Sequence, residues 1–124
     1  RITLERMGLD EWVTVISLRT AGGPEMTLRV WAGWVTLEAI RMVREELGVN
    51  MTLGASNISF GLPERKFLNQ TFMVMAIARG LDGAIVDPLD KKMMANIIAA
   101  EALAGNDEWC SAYLEAYRQK KFEF

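Results

Sequence analysis

The sequence predicts an α/β fold in which short parallel strands alternate with helices, and three observations predict it. Short apolar runs occur at Trp12–Ile16, 51–54 and 83–86; segments with one apolar face follow them; and Gly48, Gly80 and Gly105 close those segments where a helix would stop. The implied order is strand, helix, strand, helix, strand, helix, helix. Strands that alternate with helices are joined by right-handed crossovers and present ligand groups at their carboxyl ends. Three such units are too few to close an eight-stranded barrel, which takes about 250 residues. A partial barrel leaves strand edges and core faces to be covered by more protein.

The elements follow in chain order. Residues 2–7 read as the tail of a helix closed by Gly8, and the chain opens at Arg1 without an initiator methionine, as a piece of a longer protein would. The run Trp12–Ile16 is rich in β-branched residues and reads as a strand. Gly22, Gly23 and Pro24 mark a loop over 19–26. From Thr36 onward Leu37, Ile40, Val43 and Leu47 share one helical face, with Arg41, Arg44, Glu45 and Glu46 elsewhere. After the strand at 51–54, Pro63 suits the first turn of a helix that runs through Arg79. After the strand at 83–86, Asp90 caps a helix to Leu103, and Asp107 caps a last helix over 108–118. Met73, Met75, Met93 and Met94 read as core filling, as do Trp109, Tyr113 and Tyr117 at their four-residue spacing, and Cys110 as packing.

Composition narrows the function. With 124 residues, 51% of them hydrophobic, the chain can bury a core. A net charge of -2, from 14 basic and 16 acidic residues spread along the chain, offers no footprint for nucleic acid. There is no histidine and one cysteine, which removes a Ser-His-Asp triad, a zinc site and an internal disulfide; no metal ligand set is expected. No apolar stretch is long enough for a membrane span and no segment reads as a signal peptide, so the expected location is cytoplasmic.

The stretch LGASNISFGLPERKFLNQ at 53–70 holds the polar candidates. Residues just past a parallel strand point into the site of an α/β fold, so Ser56, Asn57 and Ser59 are placed to meet a ligand. The Asn57 amide both donates and accepts, as a heteroaromatic amide-like ligand requires; equally, Ser56 and Asn57 serve as turn residues bonded to their own backbone. Arg65 sits in the first turn of the next helix, where a cation is electrostatically disfavoured, and either reaches back over the strand mouth or lies in solvent. Asp87 ends its own strand and faces the same mouth, or serves the turn before Pro88; Asp82 reads as a turn residue.

The combination SNxSFGLPxR at residues 56–65 with GLDGAIVDP at 80–88 resembles the pterin-binding methyltransferases that pass a methyl group from methyltetrahydrofolate to a corrinoid protein, the group that includes the folate domain of methionine synthase. The closing WCSAYLEAYRQKK is similar to that family's C-terminal helix, so the resemblance covers about 35–121. It implies that residues 1–124 are the C-terminal half of a TIM barrel, its last three strand–helix units plus a helix, with 1–34 poorly matched. It implies a pterin contact and catalytic role for Asn57, folate binding through Ser56, Ser59, Phe60, Arg65 and Asp87, methyltetrahydrofolate as methyl donor, and as acceptor the Co(I) corrinoid of a partner protein. Residues 10–34 depart from the pattern: the family ends the corresponding strand with a pterin-binding aspartate, whereas Ile16 and Ser17 stand here, and Trp12, Trp31 and Trp34 crowd the segment.

The implied assembly is a homo-oligomer or a pairing with an N-terminal half-barrel. Two other readings remain in view. One is a non-catalytic half-barrel that associates with itself through its strand edges and binds folate weakly or not at all. The other is an enzyme like dihydropteroate synthase, which shares the barrel and the pterin site but needs groups for pyrophosphate and p-aminobenzoate.

Overall fold

The computed structural model describes residues 3–6, 12–16 and 25–124, with side chains described from residue 33 onward except that of Asn57. The elements are β1 (Thr3–Arg6), β2 (Trp12–Ile16), α1 (Glu25–Glu46), β3 (Asn50–Gly54), α2 (Arg65–Ala78), β4 (Gly83–Ile85), α3 (Lys91–Leu103) and α4 (Ser111–Arg118). Single 3-10 turns lie at Asn57–Ser59 and Glu108–Cys110. The four strands form one sheet in the order β1-β2-β3-β4. Strands β2, β3 and β4 run parallel, with Thr14 opposite Thr52 and Thr52 opposite Gly83, as alternation with helices requires.

The first element differs from expectation. Thr3–Arg6, within the segment read as helical, is a strand paired antiparallel to β2, from Thr3 opposite Ile16 to Arg6 opposite Val13. A helix of a few residues is not self-supporting, whereas the edge of β2 offers a row of backbone partners. Gly8 and residues 19–24 lie outside the described residues.

Helix α1 starts eleven residues before the expected Thr36. No proline interrupts 25–46, and the mixture of Thr27, Val30, Trp31 and Gly33 hides an apolar face that only begins to repeat cleanly at Leu37. Helix α2 begins at Arg65 rather than at Pro63, because Glu64 takes a left-handed conformation (φ 50°, ψ 48°) and turns the chain before the helix propagates.

The core lies between one face of the sheet and the helices. Met51 and Leu53 of β3 are buried with Leu37, Ile40 and Val43 of α1, Phe72, Met73, Ala76 and Ile77 of α2, and Met93 and Ala100 of α3. The alternate β3 residues Asn50, Thr52 and Gly54 are only half-buried, and Ile85 of β4 is 76% exposed, so the other face of the sheet is uncovered among the described residues. Met73 and Met93 fill the core as read, whereas Met75 is exposed.

The far end corrects the packing expected of its aromatic residues and its cysteine. Trp109 is 88% exposed, Tyr113 and Tyr117 are exposed, and the buried residue of α4 is Ala116. Cys110 is exposed as well, next to Trp109 in a left-handed stretch (φ 61° at Trp109, 54° at Cys110) that swings both side chains off the helix face. Asp82 is no mere turn residue: its carboxylate accepts from the Met51 backbone N–H at 2.8 Å and pairs with Arg44, which ties α1 to the starts of β3 and β4. Among the described residues no helix is long and apolar enough to cross a membrane.

Candidate functional site at the strand carboxyl ends

A cleft of about 320 Å³ opens where β3 and β4 end. Ala55 and Ser56 enter it from β3, Ile85, Val86 and Asp87 from β4, and Lys66, Asn69, Asp90 and Met93 from the helices. A larger hollow of about 890 Å³ lies at the opposite end, bordered by Arg44, Arg79, Gly80 and Asp82. Its guanidiniums are already committed, Arg44 to Asp82 and Arg79 to Glu38. Groups held in protein ion pairs are poor ligands, so the strand-end cleft is the candidate site.

Glycine at position 54 ends β3, and the chain then folds into the 3-10 turn Asn57–Ser59, closed by Ser59 N–H to the Ser56 carbonyl at 3.3 Å. Ser59 is fully buried. Its hydroxyl lies 2.6 Å from Asn69 Oδ1 and 3.1 Å from the Ser56 carbonyl, and accepts from Arg65 Nε at 3.2 Å. Arg65 Nη2 donates to the Ser56 carbonyl at 3.2 Å, and the guanidinium carbon stands 5.5 Å from the centre of the exposed Phe60 ring. Of the two readings for Arg65, reaching back is the observed one, and what it grips is the protein's own turn.

The remaining candidates divide. Ser56 is exposed on the cleft wall. Asn57 contributes its backbone to the turn, and its side chain lies outside the described residues. Phe60 lies beside Arg65 and is absent from the cleft lining. Asp87 does both things expected of it: it lines the cleft, and its Oδ1 accepts from the Leu89 N–H at 2.9 Å in an Asx turn.

Sequence reasoning missed Lys66, Asn69 and Gln70, and read Asp90 only as a helix cap. The signal was helical spacing: Asn69 is one turn past Arg65, on the face that looks back at the strand end. Gln70 Nε2 lies 3.2 Å from both Asp90 oxygens, and Asp90 caps α3 through the Met93 N–H at 3.1 Å. Burial pushes the Asp90 carboxyl up, but the Met93 N–H, the Gln70 amide and the Lys66 charge outweigh it and hold the group below the usual aspartate value. Among the described residues no cluster of His, Cys, Asp and Glu could hold a metal ion.

No protein-family profile matches the chain. The methylcorrinoid:tetrahydrofolate methyltransferase of Eubacterium limosum is 46% identical to it over 85 residues, 68% of this chain. The chain is a relative of that methyltransferase. This agrees with the family to which the motifs at 56–65 and 80–88 point. The match spans 31% of the methyltransferase's own length. The name of the E. limosum protein gives the methylcorrinoid as donor and tetrahydrofolate as acceptor, the opposite sense to the transfer expected from the motifs.

Proposed function

We propose that this chain is part of a barrel methyltransferase that carries a methyl group between tetrahydrofolate and the cobalt of a corrinoid held by a partner protein. The observation that carries the reading is the Ser56-Asn57-x-Ser59 turn at the carboxyl end of β3, beside a cleft of about 320 Å³, in a chain 46% identical over 85 residues to a protein named for that transfer. A barrel segment accounts for the parallel order β2-β3-β4 and, among the described residues, for helices on a single face of the sheet and an uncovered face that carries Ile85.

The cleft suits a pterin and excludes a corrin. Small-molecule sites run from about 300 to 1,000 Å³, and a bicyclic ring fits the lower end. Ser56 and Asp87 supply a hydroxyl and a carboxylate for the polar edge of such a ring. A corrin macrocycle is too large to be enclosed there and belongs at the open mouth, on a second protein. When docked, the corrinoid supplies the cobalt that takes or gives the methyl group.

Asn57 is assigned the amide that works on the methylated nitrogen. An amine leaves only as its charge is relieved by protonation, so a side chain whose hydrogen bond strengthens as charge develops lowers the barrier. The transition state is the same in both directions. The residues that lower the barrier for demethylation of the folate therefore lower it for methylation of the folate, and the relative's opposite sense needs no different site. Arg65 holds the turn that carries Asn57, through the Ser59 hydroxyl and the Ser56 carbonyl.

Calorimetric titration with methyltetrahydrofolate tests the reading. Saturable binding that weakens on Asn57→Ala is expected. A second reading, a half-barrel that associates with itself without catalysis, is favoured by the uncovered sheet face and the exposed Ile85. It predicts no binding by the folded chain and oligomers that grow with concentration in sedimentation.

A further inference from the structure

The geometry points to Asn69 as a positioning residue for the strand-end turn, acting through the buried hydroxyl of Ser59 rather than on the ligand. The inference rests on the folate reading above and adds a residue that its motifs do not contain.

Ser59 has one hydroxyl proton and three polar neighbours. Arg65 Nε approaches as a donor at 3.2 Å, so the proton goes either to the Ser56 carbonyl at 3.1 Å or to Asn69 Oδ1 at 2.6 Å. A separation of 2.6 Å is typical of O–H···O and short for N–H···O. The Asn69 carbonyl oxygen is therefore the acceptor, and its amino group points away from Ser59.

The consequence for the turn is directional. With its proton drawn to Asn69, the Ser59 oxygen presents a lone pair to Arg65, whose other arm holds the Ser56 carbonyl at 3.2 Å. Three side chains thus fix the backbone on either side of Asn57, from the helix face that borders the cleft. A fully buried hydroxyl such as that of Ser59 is costly to leave unpaired, so the arrangement has few alternatives once Asn69 is in place. Without Asn69 the Ser59 proton turns to the Ser56 carbonyl, competes with Arg65 for it, and lets the turn shift. A displacement of about 1 Å in a site of this kind reduces function by as much as a hundredfold.

Asn69 also lines the cleft, so direct ligand contact through its amino group is the competing account, and a double-variant cycle separates the two. Methyltetrahydrofolate affinity is measured calorimetrically for the intact chain and for Asn69→Ala, Ser59→Ala and the double variant. Amide hydrogen exchange is read at Ser59 and Leu62, which close the turn, and at Ala76 and Ile77 in the α2 core as the folding control. Positioning predicts that each single variant weakens binding about tenfold or more, and that the double variant is no worse than Ser59→Ala. It predicts faster exchange at Ser59 and Leu62 with Ala76 and Ile77 unchanged, and recovery of slow exchange in Asn69→Asp, which retains the acceptor. A double variant weaker than Ser59→Ala by the full Asn69 effect overturns positioning in favour of ligand contact, and unchanged affinity in Asn69→Ala overturns both. Failure of the unsubstituted chain to bind overturns the folate reading and the role assigned within it.

Discussion

Arg44, near the end of α1, donates to the carbonyl oxygen of Gly80 from Nε at 3.1 Å and from Nη2 at 2.8 Å, and so ties two helix ends together. Gly80 has a φ of 105° and stands where α2 stops, with Leu81 N–H bonded to the Ala76 carbonyl at 3.1 Å and Gly80 N–H to that of Ile77 at 3.0 Å, a Schellman closure. A Cβ at Gly80 would lie 2.8 Å from Arg44 Cγ and 2.9 Å from Nε. Gly80→Ala therefore forces a left-handed alanine and displaces the arginine, with an expected loss of at least about 1–2 kcal/mol in urea unfolding. Arg44→Ala with Gly80→Ala costs less than the sum of the two single losses, because both remove the same contact.

Helix α4 ends with the same hydrogen-bond pattern and the wrong residue for it. Lys121 N–H reaches the Ala116 carbonyl and Lys120 N–H that of Tyr117, both at 3.0 Å, but the left-handed position is Lys120, at φ 58°. Lys120→Gly relieves the Cβ conflict at an exposed site and is expected to stabilise the chain by up to about 1 kcal/mol, read as a higher urea midpoint at unchanged slope.

These two helix ends show what the sequence made legible. Gly80 and Gly105 announce their stops because glycine is the residue that a left-handed cap prefers; Lys120 announces nothing, since only the backbone reveals its role. The cap Asp90 and the strands at 51–54 and 83–86 are readable for similar local reasons; Asp107 is readable only in part, since a 3-10 turn and the left-handed Trp109 and Cys110 follow it and its carboxylate meets the Ala112 and Tyr113 N–H groups of a helix that begins at Ser111 rather than at Glu108. The pairing of Thr3–Arg6 with β2 was not, because a four-residue segment takes its conformation from a partner elsewhere in the chain. At the site, Ser56, Asn57, Ser59, Arg65 and Asp87 could be nominated by position after a strand. That Ser59 is buried and locked to Asn69 depends on how α2 docks, which no local spacing encodes.

Gly33 in α1 offers a stabilising change. A Cβ there would meet Ile58 Cβ and Cγ2 at 3.7 Å, ordinary van der Waals contact. Gly33→Ala removes the helix-interior penalty of glycine and adds a methyl group against the buried Ile58, for an expected gain of about 0.5–1 kcal/mol. Thermal unfolding reads it as a rise in Tm, and a fall would mean that α1 has no room to accept the methyl group.

Three carboxylates make the fold sensitive to acid. The Arg79 and then the Arg41 hydrogen bonds hold Glu38 below its ordinary 4.5; the backbone N–H groups of Ala112 and Tyr113 hold Asp107 below its ordinary 3.8; and Asp90 is lowered as described. A carboxyl whose folded pKa lies below its unfolded value contributes stability that is complete above the unfolded pKa and is lost as pH falls through the folded one. Stability is thus expected to be flat with respect to these groups above about pH 5 and to fall below about pH 4. Asp90→Ala removes a cap and should cost about 1 kcal/mol at neutral pH while making the acid limb shallower. Parallel acid limbs for the two chains would mean that Asp90 does not contribute to it.

Arg65 is where charge alone is the wrong description. Its Nε and Nη2 hold two different acceptors, Ser59 Oγ and the Ser56 carbonyl, while its plane lies near Phe60. A lysine ammonium keeps the charge but is a single point on a flexible stem, and cannot span both acceptors in fixed geometry. Arg65→Lys is therefore expected to weaken methyltetrahydrofolate binding by roughly the factor seen for Arg65→Ala, about tenfold, because what is lost is the shape of the turn. The side chain is exposed, so global stability should move by less than about 0.5 kcal/mol. Lysine that restores most of the affinity lost in the alanine variant would instead assign Arg65 a simple electrostatic role toward the ligand. Increasing salt separates the two accounts through the alanine variant: a geometric role leaves the affinity lost in Arg65→Ala unchanged as ionic strength rises, whereas an electrostatic one predicts that the loss shrinks as salt screens the charge.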